Sequence, residues 1–158
     1  MMVGTNENII KVLNFQGNEL VKLMKNKLDT SNANASGKLK SSIKQQVTEQ
    51  ENNIVLEISG LGYGFFKSEG RAAGKFPPKD AIIKWIKQRN ITSDLKPESL
   101  AFLIARKISK EGTKGNEFIK QSLDERRLSI STELAKATGR DVVATIRQFT
   151  KFSGLNKE

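Results

Sequence analysis

YGFFKSEGRAAGKFPPKDAIIKWIKQRNI, Tyr63 to Ile91, and, after a short linker, AFLIARKISKEGT, Ala101 to Thr113, form the stretch on which the fold turns. Its first residues, Tyr63 to Lys67, predict a strand rich in aromatic residues. The basic loop GRAAGKFPP, Gly70 to Pro78, then stops the chain. Pro77 pushes Phe76 toward an extended conformation, and Pro78 suits the first turn of a helix. Asp80 falls in that first turn, where its charge opposes the positive end of the helix dipole. Ile82, Ile83 and Ile86 make the apolar stripe of a helix running to Arg89, with Trp85 at its edge. Pro97 starts the next helix, on which Leu100, Leu103, Ile104 and Ile108 share a face, and Gly112 and Gly115 stop it.

Upstream, residues 6–29 predict an amphipathic helix with Ile9, Leu13, Gln16, Leu20, Leu23 and Lys27 on one stripe, widened by Val12, Val21, Met24 and Leu28. Thr5 or Asn6 is the expected cap. Gly17 in its middle costs about 1 kcal/mol relative to Ala, which marks a close packing contact. After the polar connector TSNANASG, Thr30 to Gly37, the period changes to two. Leu39, Ser41, Ile43, Gln45 and Val47 alternate with polar neighbours, as do Ile54, Leu56 and Ile58, so a β-hairpin with one buried face is expected.

Downstream, residues 116–137 predict a longer helix, apolar at Ile119, Leu123, Ile130, Leu134 and Ala137. Gly139 is expected to break it, and Asp141 to cap a last helix through Val142, Val143, Ile146 and Phe149. The tail after Phe152 is polar. The whole chain, 1–158, therefore reads as one α+β domain: an N-terminal helix and connector over 1–37, an antiparallel sheet of about three strands with the basic loop over 38–76, and three or four helices over 77–158.

Composition narrows the function. Cysteine and histidine are both absent, which excludes disulfides, the usual zinc sites and Cys or His nucleophile–base pairs. Carboxylates are scattered among lysines along the helices, without the clustering that a metal site needs. A phosphate-binding loop requires four residues between its glycines and Ser or Thr after the Lys. Gly70 and Gly74 are separated by three, and Phe76 follows Lys75. A helix-turn-helix uses a turn of three or four residues, whereas Asn90 to Lys96 is seven long and the second helix opens on Pro97-Glu98. No catalytic, cofactor-binding or metal-ligating residue is singled out, and an enzyme is not expected. No apolar run is long enough to span a bilayer, so no membrane partner is expected.

Net charge is +10, distributed as +1 over 1–37, +2 over 38–76 and +7 over 77–158. That balance favours polyanionic neighbours, either nucleic acid or acidic protein faces. Hydrophobic residues make up only 37% of the chain, which suits either a domain with much surface per residue or one whose apolar faces are completed by neighbouring subunits.

The ordered series Tyr63, Phe66, Gly70-Arg71, Gly74-Lys75 and Pro77-Pro78, then Trp85-Ile86, AFLIARKI and Gly112-Thr113, resembles the tail-completion (neck and minor tail) proteins of tailed double-stranded DNA phages. The resemblance covers about a third of the chain and rests on Tyr63, Gly70, Arg71, Gly74, Pro77, Pro78, Trp85, Phe102, Ile104, Arg106 and Gly112-Thr113. It departs from many relatives in its long region after Phe118. It implies a structural virion protein, made in the host cytoplasm and placed at the neck or upper tail. Such proteins form homo-oligomeric rings of six or twelve copies that join the portal or connector to the tail around the DNA path. Portal, connector and tail proteins are the implied partners, with nonspecific contact to passing DNA. The candidate interface residues are Arg71, Lys75, Phe76 and Trp85. Arg71 and Lys75 are expected to be exposed. Trp85 is read as core packing between sheet and helices, with a subunit-interface anchor as the alternative. The competing reading is a stand-alone basic nucleic-acid-binding protein.

Overall fold

A computed structural model describes residues 6–31, 36–51 and 53–152. The expected cap Thr5, most of the TSNANASG connector, the Phe149 side chain and the tail after Phe152 lie outside the described residues. The order is α1 (Glu7–Thr30), α2 (Lys38–Ser42), β1 (Lys44–Glu49), β2 (Ile54–Ser59), α3 (Tyr63–Glu69), β3 (Gly70–Arg71), α4 (Lys79–Gln88), α5 (Pro97–Glu111), β4 (Thr113–Lys114) and α6 (Phe118–Phe152). The class is α+β, with an N-terminal helix, a small antiparallel sheet and helices after it. Among the described residues, no helix is long and apolar enough to cross a membrane. The fold gathers into two compact units, Met1–Leu23 with Lys44–Ser59 and Ser122–Glu158, and Met24–Ile43 with Gly60–Gln121.

In the first unit, β1 and β2 form the expected hairpin, with Val47 opposite Leu56 and Gln45 opposite Ile58. Ile54, Leu56 and Ile58 are half-buried while Val55 and Glu57 face out, as the period of two requires. Gly17 of α1 is buried under this hairpin: a Cβ there would lie 2.7 Å from Leu56 Cδ1 and 2.9 Å from Gln45 Oε1. The stripe of α1 runs through Leu13, Gln16, Leu20, Met24 and Leu28. Beyond Leu20 it drifts one position from the expected Leu23 and Lys27, because 3.6 residues per turn cannot hold a strict three-four spacing over 24 residues.

Helix α6 runs unbroken through Gly139, where solvent surrounds the backbone and a single glycine costs too little to end 35 residues of helix. Its inward face is partly polar: Ser122, Ala137 and Asp141 are buried, whereas Leu123 is exposed. Arg126 donates from Nη2 to Oε1 of the buried Gln16 at 2.6 Å. Asp141 caps no new helix. Its carboxylate accepts the backbone N–H of Asn8 at 3.2 Å and of Ile9 at 3.0 Å, and the Asn8 side-chain amide at 2.7 Å. These are the orphan donors of the first turn of α1, so Asp141 does from 133 residues away what an N-cap side chain does locally. Asn6, the expected local cap, donates instead to Glu49 Oε1.

The second unit corrects two strand expectations. Leu39 to Ser42 is helical, with the Ser41 and Ser42 hydroxyls bonded back to the Lys38 and Leu39 carbonyls, and the strand begins only at Lys44. Tyr63 to Lys67 is not a third strand but part of α3. Its buried positions are Gly64 and Ser68, four apart, and Phe65 and Phe66 point outward. A small-residue face four apart is a helical pattern, and the aromatic content masks it. The main sheet therefore has two strands.

Helices α4 and α5 bury Ile82 and Ile86 against Ala101 and Ala105, with Ile83, Leu100, Ile104 and Ile108 around them. The centre of the α5 face is thus the alanine pair rather than the expected leucines, and Leu103 is exposed. Small side chains four apart let the two helices approach closely. Helix α4 ends in a Schellman turn: Asn90, at φ 48°, donates to Lys87 O, and Ile91 donates to Ile86 O.

Candidate functional site

Two backbone crossings organise the second unit. Gly70 pairs with Lys114 and Arg71 with Thr113 in a two-residue antiparallel ladder. A Cβ on Gly112, whose φ is +74°, would sit 2.1 Å from the Arg71 carbonyl oxygen, and one on Gly115 would sit 2.1 Å from that of Ser68. Only glycine admits these approaches. Next to them, the Asn116 and Glu117 N–H groups donate to the Lys67 and Ser68 carbonyls. The fully buried Ser68 hydroxyl accepts the Ile119 N–H at 3.2 Å and so caps α6. The Gly-Arg and Gly-Thr pairs, more than forty residues apart in sequence, are in this way one structural joint.

This joint fixes the basic loop. The Gly74 N–H donates to Ser109 O at 2.8 Å, and Arg71 Nη2 donates to Lys75 O. Arg71 is half-buried and holds its own loop through this bond, so it is less exposed than expected. Lys75 is exposed, as expected. Phe76 is half-exposed and stacks on Phe102 at 6.1 Å between ring centroids, with Lys79 Nζ 5.1 Å from the Phe102 centroid.

Trp85 does not fill a core between sheet and helices. It is 39% exposed and forms one wall of a cleft of about 360 Å³. Ile82, Ile104 and Ile108 also line this cleft, as do Phe66, Lys67 and Lys114. The Lys67 ammonium is held below the usual lysine range, chiefly by partial burial and further by the Arg89 charge. The four residues singled out from sequence thus divide. Trp85 belongs to the cleft, Arg71 and Lys75 to the loop, and Phe76 to an aromatic pair. Phe66, Lys67 and Lys114 are not among those four, and the helical spacing of Gly64 and Ser68 is the one signal in the sequence that turns Phe66 outward.

Large apolar side chains face water in both units. Phe15 and Leu128 do so in the first, Leu128 at 78% exposure, and Phe65 and Phe66 in the second, at 62% and 63%. No family model, no curated protein and no solved structure matches this chain.

Proposed function

We propose that this chain is a structural assembly protein: a tail-completion or neck-ring component of a tailed double-stranded DNA phage. Six or twelve copies form a ring that joins the portal or connector to the tail around the DNA path. It carries out no chemistry in this reading, and its place is the virion neck or upper tail. The observation that carries the reading is the amount of aromatic and aliphatic surface left facing water in both units, with Phe66 and Trp85 lining an open cleft in the second. Apolar surface of this extent is what a subunit covers on assembly. The joint between Gly70-Arg71 and Gly112-Thr113 gives a physical reason for the spacing on which the family resemblance rests.

The charge of +7 over residues 77–158 supports the competing reading, a stand-alone nucleic-acid-binding protein. Native mass spectrometry of the purified chain, paired with DNA binding across a salt series, separates the two. The ring reading expects six- or twelve-fold species and weak DNA binding. A monomer at every concentration, with tight binding that falls steeply with salt, overturns it.

A further inference from the structure

The chain carries one acidic stretch in an otherwise basic molecule. From Gln45 to Ser59 it has Glu49, Glu51 and Glu57 and no Lys or Arg, against a net charge of +10 for the whole. This stretch is the β1–β2 hairpin. Its outward face, set by the pairs Thr48–Val55 and Gln46–Glu57, presents Val55 beside Glu57, with Lys44 at the base and Glu51 exposed at the turn. The cleft of the second unit has the reverse pattern, with Phe66, Ile82, Trp85, Ile104 and Ile108 lining it alongside Lys67 and Lys114. Neither lysine has a carboxylate partner among the described residues.

We infer that the cleft receives the hairpin of a second copy of this chain, with Val55 against Phe66 and Trp85 and with Glu51 and Glu57 beside Lys67 and Lys114. The inference rests on the ring reading above and specifies its subunit contact. Charge complementarity selects the occupant. Copies carrying +10 repel one another, and the hairpin is the part of the surface whose approach to two lysines is attractive. Size agrees. A cleft of about 360 Å³ admits a few side chains from a strand face, whereas a helix with its side chains is about 10 Å across. Val55, Glu51 and Glu57 on one side and Phe66, Trp85, Lys67 and Lys114 on the other are different residues, so the contact repeated from copy to copy is head-to-tail, the kind that generates rings when its rotation closes. The glutamate–lysine attraction is screened by salt, and the apolar contact is not.

A charge swap followed by sedimentation velocity tests this contact, with circular dichroism confirming the fold of each variant. Glu51→Lys with Glu57→Lys, and separately Lys67→Glu with Lys114→Glu, should each weaken self-association by at least about tenfold. An equimolar mixture of the two should regain it, because each variant then offers the face that the other needs. Val55→Ser, on an exposed strand position, should weaken association without reversing any charge. If the wild-type chain is monomeric throughout, the contact and the ring reading fall together. If the wild type associates and the swapped variants associate equally well, or if their mixture gains nothing, this contact alone is overturned and the apolar surface is used otherwise. Binding of a different acidic protein in the cleft of a monomeric chain overturns it as well.

Discussion

The two units are closed by different means. In the first, side chains do it: Asp141 reaches the start of α1, Arg126 reaches Gln16, and Leu56 lies over Gly17. In the second, main chain crosses main chain at Gly70, Gly112 and Gly115, and the start of α6 is capped by the neutral Ser68. A joint made of side chains can be retuned by pH or by substitution. One made of backbone tolerates almost nothing at its glycines, yet is indifferent to pH.

The sharpest way to break this contrast is Gly112→Ala. The added carbon meets the Arg71 carbonyl at a backbone φ of +74°, so the substitution should cost about 3 kcal/mol or more, read by chemical denaturation. A cost below about 1 kcal/mol, of the size seen for an ordinary helix glycine, would mean the crossing is loose.

Asp141→Ala should cost about 1–2 kcal/mol at neutral pH through loss of the cap on α1. Burial pushes this carboxyl up, but hydrogen bonds from the Asn8 side chain and the Ile9 and Asn8 N–H groups, helped by Arg140, outweigh it and hold it below its usual value. A depressed carboxyl stabilises the fold above its unfolded value and ceases to do so as pH falls through the folded one. The gap between wild type and variant should therefore be constant near neutrality and close on acidification. Ser68→Ala should cost about 1 kcal/mol, with no such closing. Parallel pH profiles for the two variants would erase the distinction between the units.

The smallest effect is a gain. Gly139 lies mid-helix, and a Cβ added there would meet no atom within 4 Å, so Gly139→Ala should stabilise the chain by about 0.5–1 kcal/mol. Thermal denaturation checks it, and destabilisation would mean that α6 bends or ends there after all.

What was legible in the sequence follows the same divide. Periodicity exposed α1, the hairpin, α4 and the packing role of Gly17, because apolar residues there mark the buried face. It misplaced Tyr63 to Lys67, whose buried residues are Gly64 and Ser68 and so carry no hydrophobic signal. It also split α6 at Gly139, since glycine and a following aspartate look like a stop and a cap when the cap's real target lies 133 residues away. At the candidate site, Trp85 lines a cleft whose other residues come largely from α3, α5 and β4, and no local spacing reports on such distant neighbours. The Arg71–Lys75 contact spans only four residues, but a backbone carbonyl as the partner leaves no mark in the side-chain pattern.

The central claim is that the exposed apolar surface exists to be covered by other copies. Association of folded copies raises apparent stability by mass action. Melting followed over a wide range of protein concentration tests this most directly. The account expects the melting temperature to rise steadily with concentration; a monomer whose melting temperature is the same at every concentration would contradict it.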